Sequence, residues 1–111
     1  MREVLSELNK TSGITGSMLV GQDGIVIAAD LSSGYDSETV GALASSISST
    51  VTKSLERMKQ SSLKQVIIEG ENGKFFISST PVGFLVVTTQ ERVNMGLIRL
   101  EMKNAATQLT V

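Results

Sequence analysis

Three aspartates, Asp23, Asp30 and Asp36, flank a Gly-Gln-Asp-Gly turn and the polar loop after it. Carboxylates gathered in this way could hold a divalent cation such as Mg²⁺. Asp is also the residue that tight turns and helix caps use most, and that structural reading outweighs the metal site. Glu69 and Glu71 stand either side of Gly70 and could form a general acid–base pair, but a solvated turn accounts for them more simply. Ser61-Ser62-Leu63-Lys64 has the spacing of a Ser-x-x-Lys nucleophile without its context; Lys64 is better read as a charge at a strand edge. The hydroxyls from Ser45 to Ser49 have no base near them in sequence. The chain contains no His and no Cys, which excludes a Ser-His-Asp triad, a thiolate nucleophile and an ordinary zinc site. Gly13-Ile14-Thr15-Gly16 matches neither a phosphate loop nor a dinucleotide fingerprint. These residues lead to the expectation of no catalytic residue, no metal and no cofactor, and of a protein that is not an enzyme.

The elements that would position such groups follow from periodicity. A first helix is expected from about Arg2 to Thr11, closed by Ser12-Gly13. Ser17 to Val20 and Ile25 to Ala29 read as a hairpin across Gly21-Gln22-Asp23-Gly24, where Asp-Gly supplies a positive φ. Leu31 to Tyr35 is a polar loop, and Asp36 or Ser37 caps a long helix to about Lys59. In that helix Val40, Leu43, Ala44, Ile47, Val51, Leu55 and Met58 form one apolar stripe. Lys64 to Glu69 and Lys74 to Ser79 form a second hairpin, and Pro81-Val82-Gly83 turns the chain into Phe84 to Val87. That last strand is apolar on both faces and belongs in the middle of a sheet covered on both sides. Thr88-Thr89-Gln90-Glu91 reads as a capping box opening a third helix. There Val93, Leu97 and Leu100 are expected to meet the sheet. Met95, Ile98, Met102, Ala105 and Leu109 then face the first helix or a partner. Arg92, Arg99 and Lys103 share another side of that helix.

The expected fold is therefore α+β, in the order αββαβββα: a three-layer sandwich of a five-stranded antiparallel sheet with one long helix on one face and two helices on the other. The 111 residues form a single domain, residues 1–111. Val66, Ile67 and Ile68 make an apolar strand with little edge defence, and pairing with a second copy would satisfy it. Beside the apolar stripe of the long helix runs a stripe of small residues, Gly41, Ser45, Ser48 and Thr52. Ser and Thr are poor helix formers, and a packing seam explains their tolerance. The expected dimer interface is thus Gly41, Ser45, Ser48, Thr52, Val66, Ile67 and Ile68, with Ser49 and Glu56 on the adjoining docking surface. Ten Lys and Arg against eleven Asp and Glu argue against nucleic acid as a partner. Two acids in the first seven residues stand where a signal peptide would need an apolar run, and the longest apolar stretches are too short to span a bilayer. A cytoplasmic location follows as an expectation.

The element order resembles the Roadblock family, named after the dynein light chain. Val20-Gly21-Gln22-Asp23-Gly24-Ile25-Val26-Ile27-Ala28 is similar to the family's first hairpin. Asn94-Met95-Gly96-Leu97-Ile98-Arg99-Leu100 is similar to the Asn-x-Gly-x-x-Arg opening of the last helix in bacterial and archaeal members. The resemblance spans nearly the whole chain. It implies a non-enzymatic homodimer, or a heterodimer with a paralogue, built by pairing third strands and packing long helices. It further implies a Ras-like small GTPase as partner, remodelled by contact rather than by an arginine finger. The sequence ends at Val111, without the long C-terminal extension of the gliding-motility regulators. GTPase binding is accordingly the firmer expectation and stimulation of hydrolysis the weaker one. A structural adaptor in a motor, motility or trafficking complex is the alternative. A small-molecule sensor is a third class, which would need a roomy apolar pocket where the sequence suggests a filled core.

Overall fold

The computed structural model describes residues 1–109 except Ser33 and Ser61; Ser61 of the Ser-x-x-Lys spacing lies outside the described residues. Eight elements follow in the expected order: α1 (Arg2–Leu8), β1 (Ile14–Val20), β2 (Val26–Asp30), α2 (Ser37–Arg57), β3 (Gln65–Glu69), β4 (Lys74–Thr80), β5 (Gly83–Thr89) and α3 (Met95–Gln108). The strands form one antiparallel sheet in the order β2-β1-β5-β4-β3. β5 is central, as its two apolar faces require. Leu85 and Val87 point to one side and Phe84 and Val86 to the other.

Helices cover both faces. On one, α1 and α3 bring Leu5, Leu8, Ile98, Met102, Ala105 and Leu109 onto Leu19, Phe76, Leu85 and Val87. Phe76 is fully buried there, and burying a side chain of that size is worth about 1.5–3 kcal/mol. Ser17, also buried, donates its hydroxyl to the Leu5 carbonyl at 3.3 Å, so that hydroxyl is satisfied under α1. On the other face, Ala44 of α2 packs with Met18, Val20, Ile77 and Val86, flanked by Val40 and Ile47. The chain is an α+β three-layer sandwich.

Three local expectations change. The capping box is not a cap: Thr88 and Thr89 are the last residues of β5, held between β1 and β4, and the Thr88 and Thr15 hydroxyls bond at 2.8 Å. β-branched residues suit that pleated, doubly covered position. Helix α3 opens later, where the Asn94 side chain accepts the Leu97 N–H at 3.0 Å. The two apolar faces of α3 also exchange roles. Ile98, Met102 and Ala105 meet the sheet, whereas Leu97 and Leu100 remain 36% and 53% exposed. Finally, α1 and α2 end sooner than expected. At the end of α2, Lys59 takes a left-handed φ of 58°. Gln60 N–H reaches the Leu55 carbonyl and Lys59 N–H the Glu56 carbonyl, at 2.9 and 3.0 Å. This is a Schellman closure, made with Lys where Gly is usual.

Candidate partner-binding site

The first hairpin and α2 make the site together. The Gly21–Gly24 turn is closed by Gly24 N–H to the Gly21 carbonyl at 2.9 Å and Gly21 N–H to the Ile25 carbonyl at 2.8 Å. Asp23 accepts the Ile25 N–H at 3.0 Å, and Gly24 takes φ +88°. This turn then docks on α2. A Cβ on Gly41 would lie 3.1 Å from the Gly24 carbonyl oxygen and 3.2 Å from Val26 Cγ2. The Ser45 hydroxyl donates to the Gln22 carbonyl at 3.1 Å. Gly41 and Ser48 are buried inside the chain. Thus the small residues at these positions let α2 lie close against its own hairpin.

Of the three candidate aspartates, Asp23 and Asp36 bond through their carboxylates and Asp30 through its backbone. Asp23 holds the turn. Asp36 is the N-cap residue of α2, and its carboxylate accepts the Thr39 hydroxyl at 2.6 Å. Asp30 gives its backbone carbonyl to the Asn9 side-chain amide at 2.8 Å. Among the described residues no three Asp or Glu side chains gather as a metal site would require. Glu69 and Glu71 are exposed, at the end of β3 and in the turn that follows.

What the structure does bring together is a cleft of about 400 Å³ along the C-terminal half of α2, from Gln22 of the hairpin turn to Leu63 and Ser79. Ser45, Ser48, Ser49, Thr52 and Glu56 all line it, with Lys53 opposite in charge to Glu56. Ser49 and Glu56 are exposed. The Ser48 hydroxyl is buried with no hydrogen-bond partner, an arrangement that usually costs about 1–3 kcal/mol. Other hydroxyls of α2 bond back to the preceding turn, Thr50 to the Ser46 carbonyl at 3.1 Å and Ser54 to the Thr50 carbonyl at 3.0 Å.

Val66, Ile67 and Ile68 lie apart from this cleft, on β3 at the sheet edge. Sequence reasoning missed the groove beside them. Helix α2 crosses β1, β2 and β5, so it is displaced towards one side of its face. Over β4 and β3 an open, apolar groove of about 530 Å³ remains, lined by Tyr35, Leu43, Ile47, Ile68, Phe75 and Ile77 among others. The core under α2 is therefore filled on the β1–β5 side and open on the other. Leu43, 56% exposed, was the available signal: it belongs to the apolar stripe yet lies at the open groove with nothing in the chain covering it. No helix among the described residues is long and apolar enough to cross a membrane.

This architecture recurs among known structures. MglB of Myxococcus xanthus superposes with a TM-score of 0.91 at 21% identity, over 97% of this chain and 89% of its own. A Roadblock/LC7 domain of Streptomyces avermitilis gives 0.89 at 21% identity, over 97% and 92%. MglC of Myxococcus xanthus gives 0.64 at 18% identity, over 96% and 93%. At these identities the likeness is one of fold. In sequence, two uncharacterised proteins of Methanocaldococcus jannaschii are each 47% identical over 106 residues, 96% of this chain and 93% of theirs. The Roadblock/LC7 domain profile matches residues 1–89. The chain belongs to the Roadblock/LC7 domain family.

Proposed function

We propose that the chain is a non-catalytic homodimeric module in the cytoplasm that binds a Ras-like small GTPase through the cleft beside α2. The observation that carries this reading is the cleft itself. It gathers four hydroxyl or carboxylate side chains of α2 that solvent reaches, Ser45, Ser49, Thr52 and Glu56. Such a surface is suited to hydrogen bonding with another protein. The family resemblance supplies the class of partner. Dimerisation rests on the apolar β3 edge and on the groove next to it. A second α2, brought in by a two-fold axis at β3, would cover Leu43, Ile47, Ile68 and Phe75. In this arrangement Val66, Ile67 and Ile68 form the strand seam. Ser45 and Thr52 lie on the rim of the docking cleft, and Gly41 and Ser48 act through the position they give α2.

Calorimetric titration against each Ras-like GTPase of the same genome, loaded with GTPγS or with GDP, tests the proposal. One of them should bind saturably, and Glu56→Arg should weaken it by about tenfold, the usual scale for reversing one interface charge. If none binds in either nucleotide state, the GTPase reading fails.

A further inference from the structure

The face of the sheet opposite α2 carries a second concave surface of different character. Between α3 and the β3–β4 edge lies a groove of about 630 Å³. Its lining includes Lys64, Arg99 and Lys103 around apolar Leu63, Leu100 and Met102, and no carboxylate. The one ion pair among the described residues joins Lys10 and Glu7 on the α1 side, so none of the three cations has a counter-charge. The lining is thus positive in a chain whose net charge is −1. The flanking Leu97 and Leu100 of α3 are exposed.

We propose that this groove docks an acidic amphipathic helix from a partner protein. Its leucine-type side chains would seat against Leu100 and the exposed edge of Leu63, and its carboxylates against Lys64, Arg99 and Lys103. Charge and pitch both select this occupant. Arg99 and Lys103 are four residues apart on α3, so their stems are separated by about 6 Å along the axis. Carboxylates four residues apart on an incoming helix have the same pitch, and the apolar stripe between them matches the apolar floor. A polyanion such as nucleic acid is disfavoured by the net negative charge of the whole chain. A flat membrane surface would meet the exposed Leu97 and Leu100 but would not enter the groove between α3 and the β3–β4 edge. The groove borders the GTPase cleft, with which it shares Leu63 and Ser79, but the proposal does not rest on what that cleft binds.

The test uses a fluorescein-labelled 18-residue peptide with Leu at helical spacing on one face and Glu on its flanks. Controls are a scrambled peptide of the same composition and a version with Lys replacing Glu. Fluorescence anisotropy should show saturable binding of the acidic amphipathic peptide alone. R99E/K103E should weaken that binding by about tenfold or more and should gain binding of the Lys version, a gain that a misfolded variant would not show. Glu38→Arg, in the first turn of α2 and outside both the groove and the cleft, should bind the acidic peptide as well as the parent chain does. The proposal is overturned if the acidic peptide does not bind, if the scramble binds equally, or if R99E/K103E retains the affinity. Binding to phosphatidylserine vesicles that is lost in R99E/K103E, without peptide binding, would also overturn it and assign the groove to membranes.

Discussion

Ser48 is the residue at which structure and proposed function press against each other most directly. Its hydroxyl is buried and unpaired in the free chain, within a helix in which the neighbouring hydroxyls bond back to their own backbone. Ser is also a weaker helix former than Ala by a few tenths of a kcal/mol. Ser48→Ala should therefore stabilise the free protein by about 1 kcal/mol, raising the thermal midpoint by about 4 °C. Differential scanning calorimetry checks this, and an unchanged or lower midpoint would mean that the hydroxyl is already satisfied. Gly41 shows the opposite logic. A methyl there would gain helix propensity but press on the Gly24 carbonyl oxygen at 3.1 Å, so its small size belongs to the helix–hairpin contact. The sequence stripe of small residues was thus visible as a packing seam. The partner across that seam was not, because only the tertiary fold shows that the Gly21–Gly24 turn reaches α2.

At the scale of elements, the start of α3 gives the clearest case. Thr-x-x-Glu at Thr88 fits a capping box locally, but the two threonines continue β5, where they pair with strands on both sides. Asn94 then caps the helix with its own side chain. Asn94→Ala should cost about 1 kcal/mol and Asn94→Asp should retain most of that stability, since Asp caps equally well; urea denaturation of the two variants separates them. Periodicity similarly showed that α3 has two apolar faces but could not rank them. Both repeat at three and four residues, and the choice of Ile98 and Met102 for the sheet depends on how α1 and α3 share one face. The order of elements and the central place of β5 were legible because each follows from local pattern alone. The sideways placement of α2, and with it the groove over β3 and β4, depends on how the helix sits against several strands at once and leaves no local mark apart from the exposed Leu43.

For the whole molecule, the decisive comparison is between its two sheet edges. β2 pairs with β1 through a register shift at Leu19/Val20, a bulge of the kind that blunts an edge against further pairing. β3 pairs with β4 in unbroken register from Gln65↔Ser78 to Glu69↔Lys74, so its outer side offers a regular row of backbone groups. It also adjoins the uncovered apolar groove. Association through β3 would pair the open edge and cover the groove in one operation; association through β2 would do neither. A two-fold axis there would make a continuous ten-stranded sheet. Sedimentation equilibrium of the 11.8 kDa chain should accordingly return twice that mass. Ile67, at the centre of β3 and 37% exposed, tolerates Lys without disturbing the protomer core. Two lysines brought close together at a two-fold axis would repel and lose the apolar contact. Ile67→Lys should therefore return the mass of one chain with an unchanged far-ultraviolet circular dichroism spectrum, whereas Ile27→Lys on the bulged edge should leave the dimer intact. A dimer that survives Ile67→Lys and dissociates with Ile27→Lys would place the axis at the other edge and leave the groove over β3 to a different occupant.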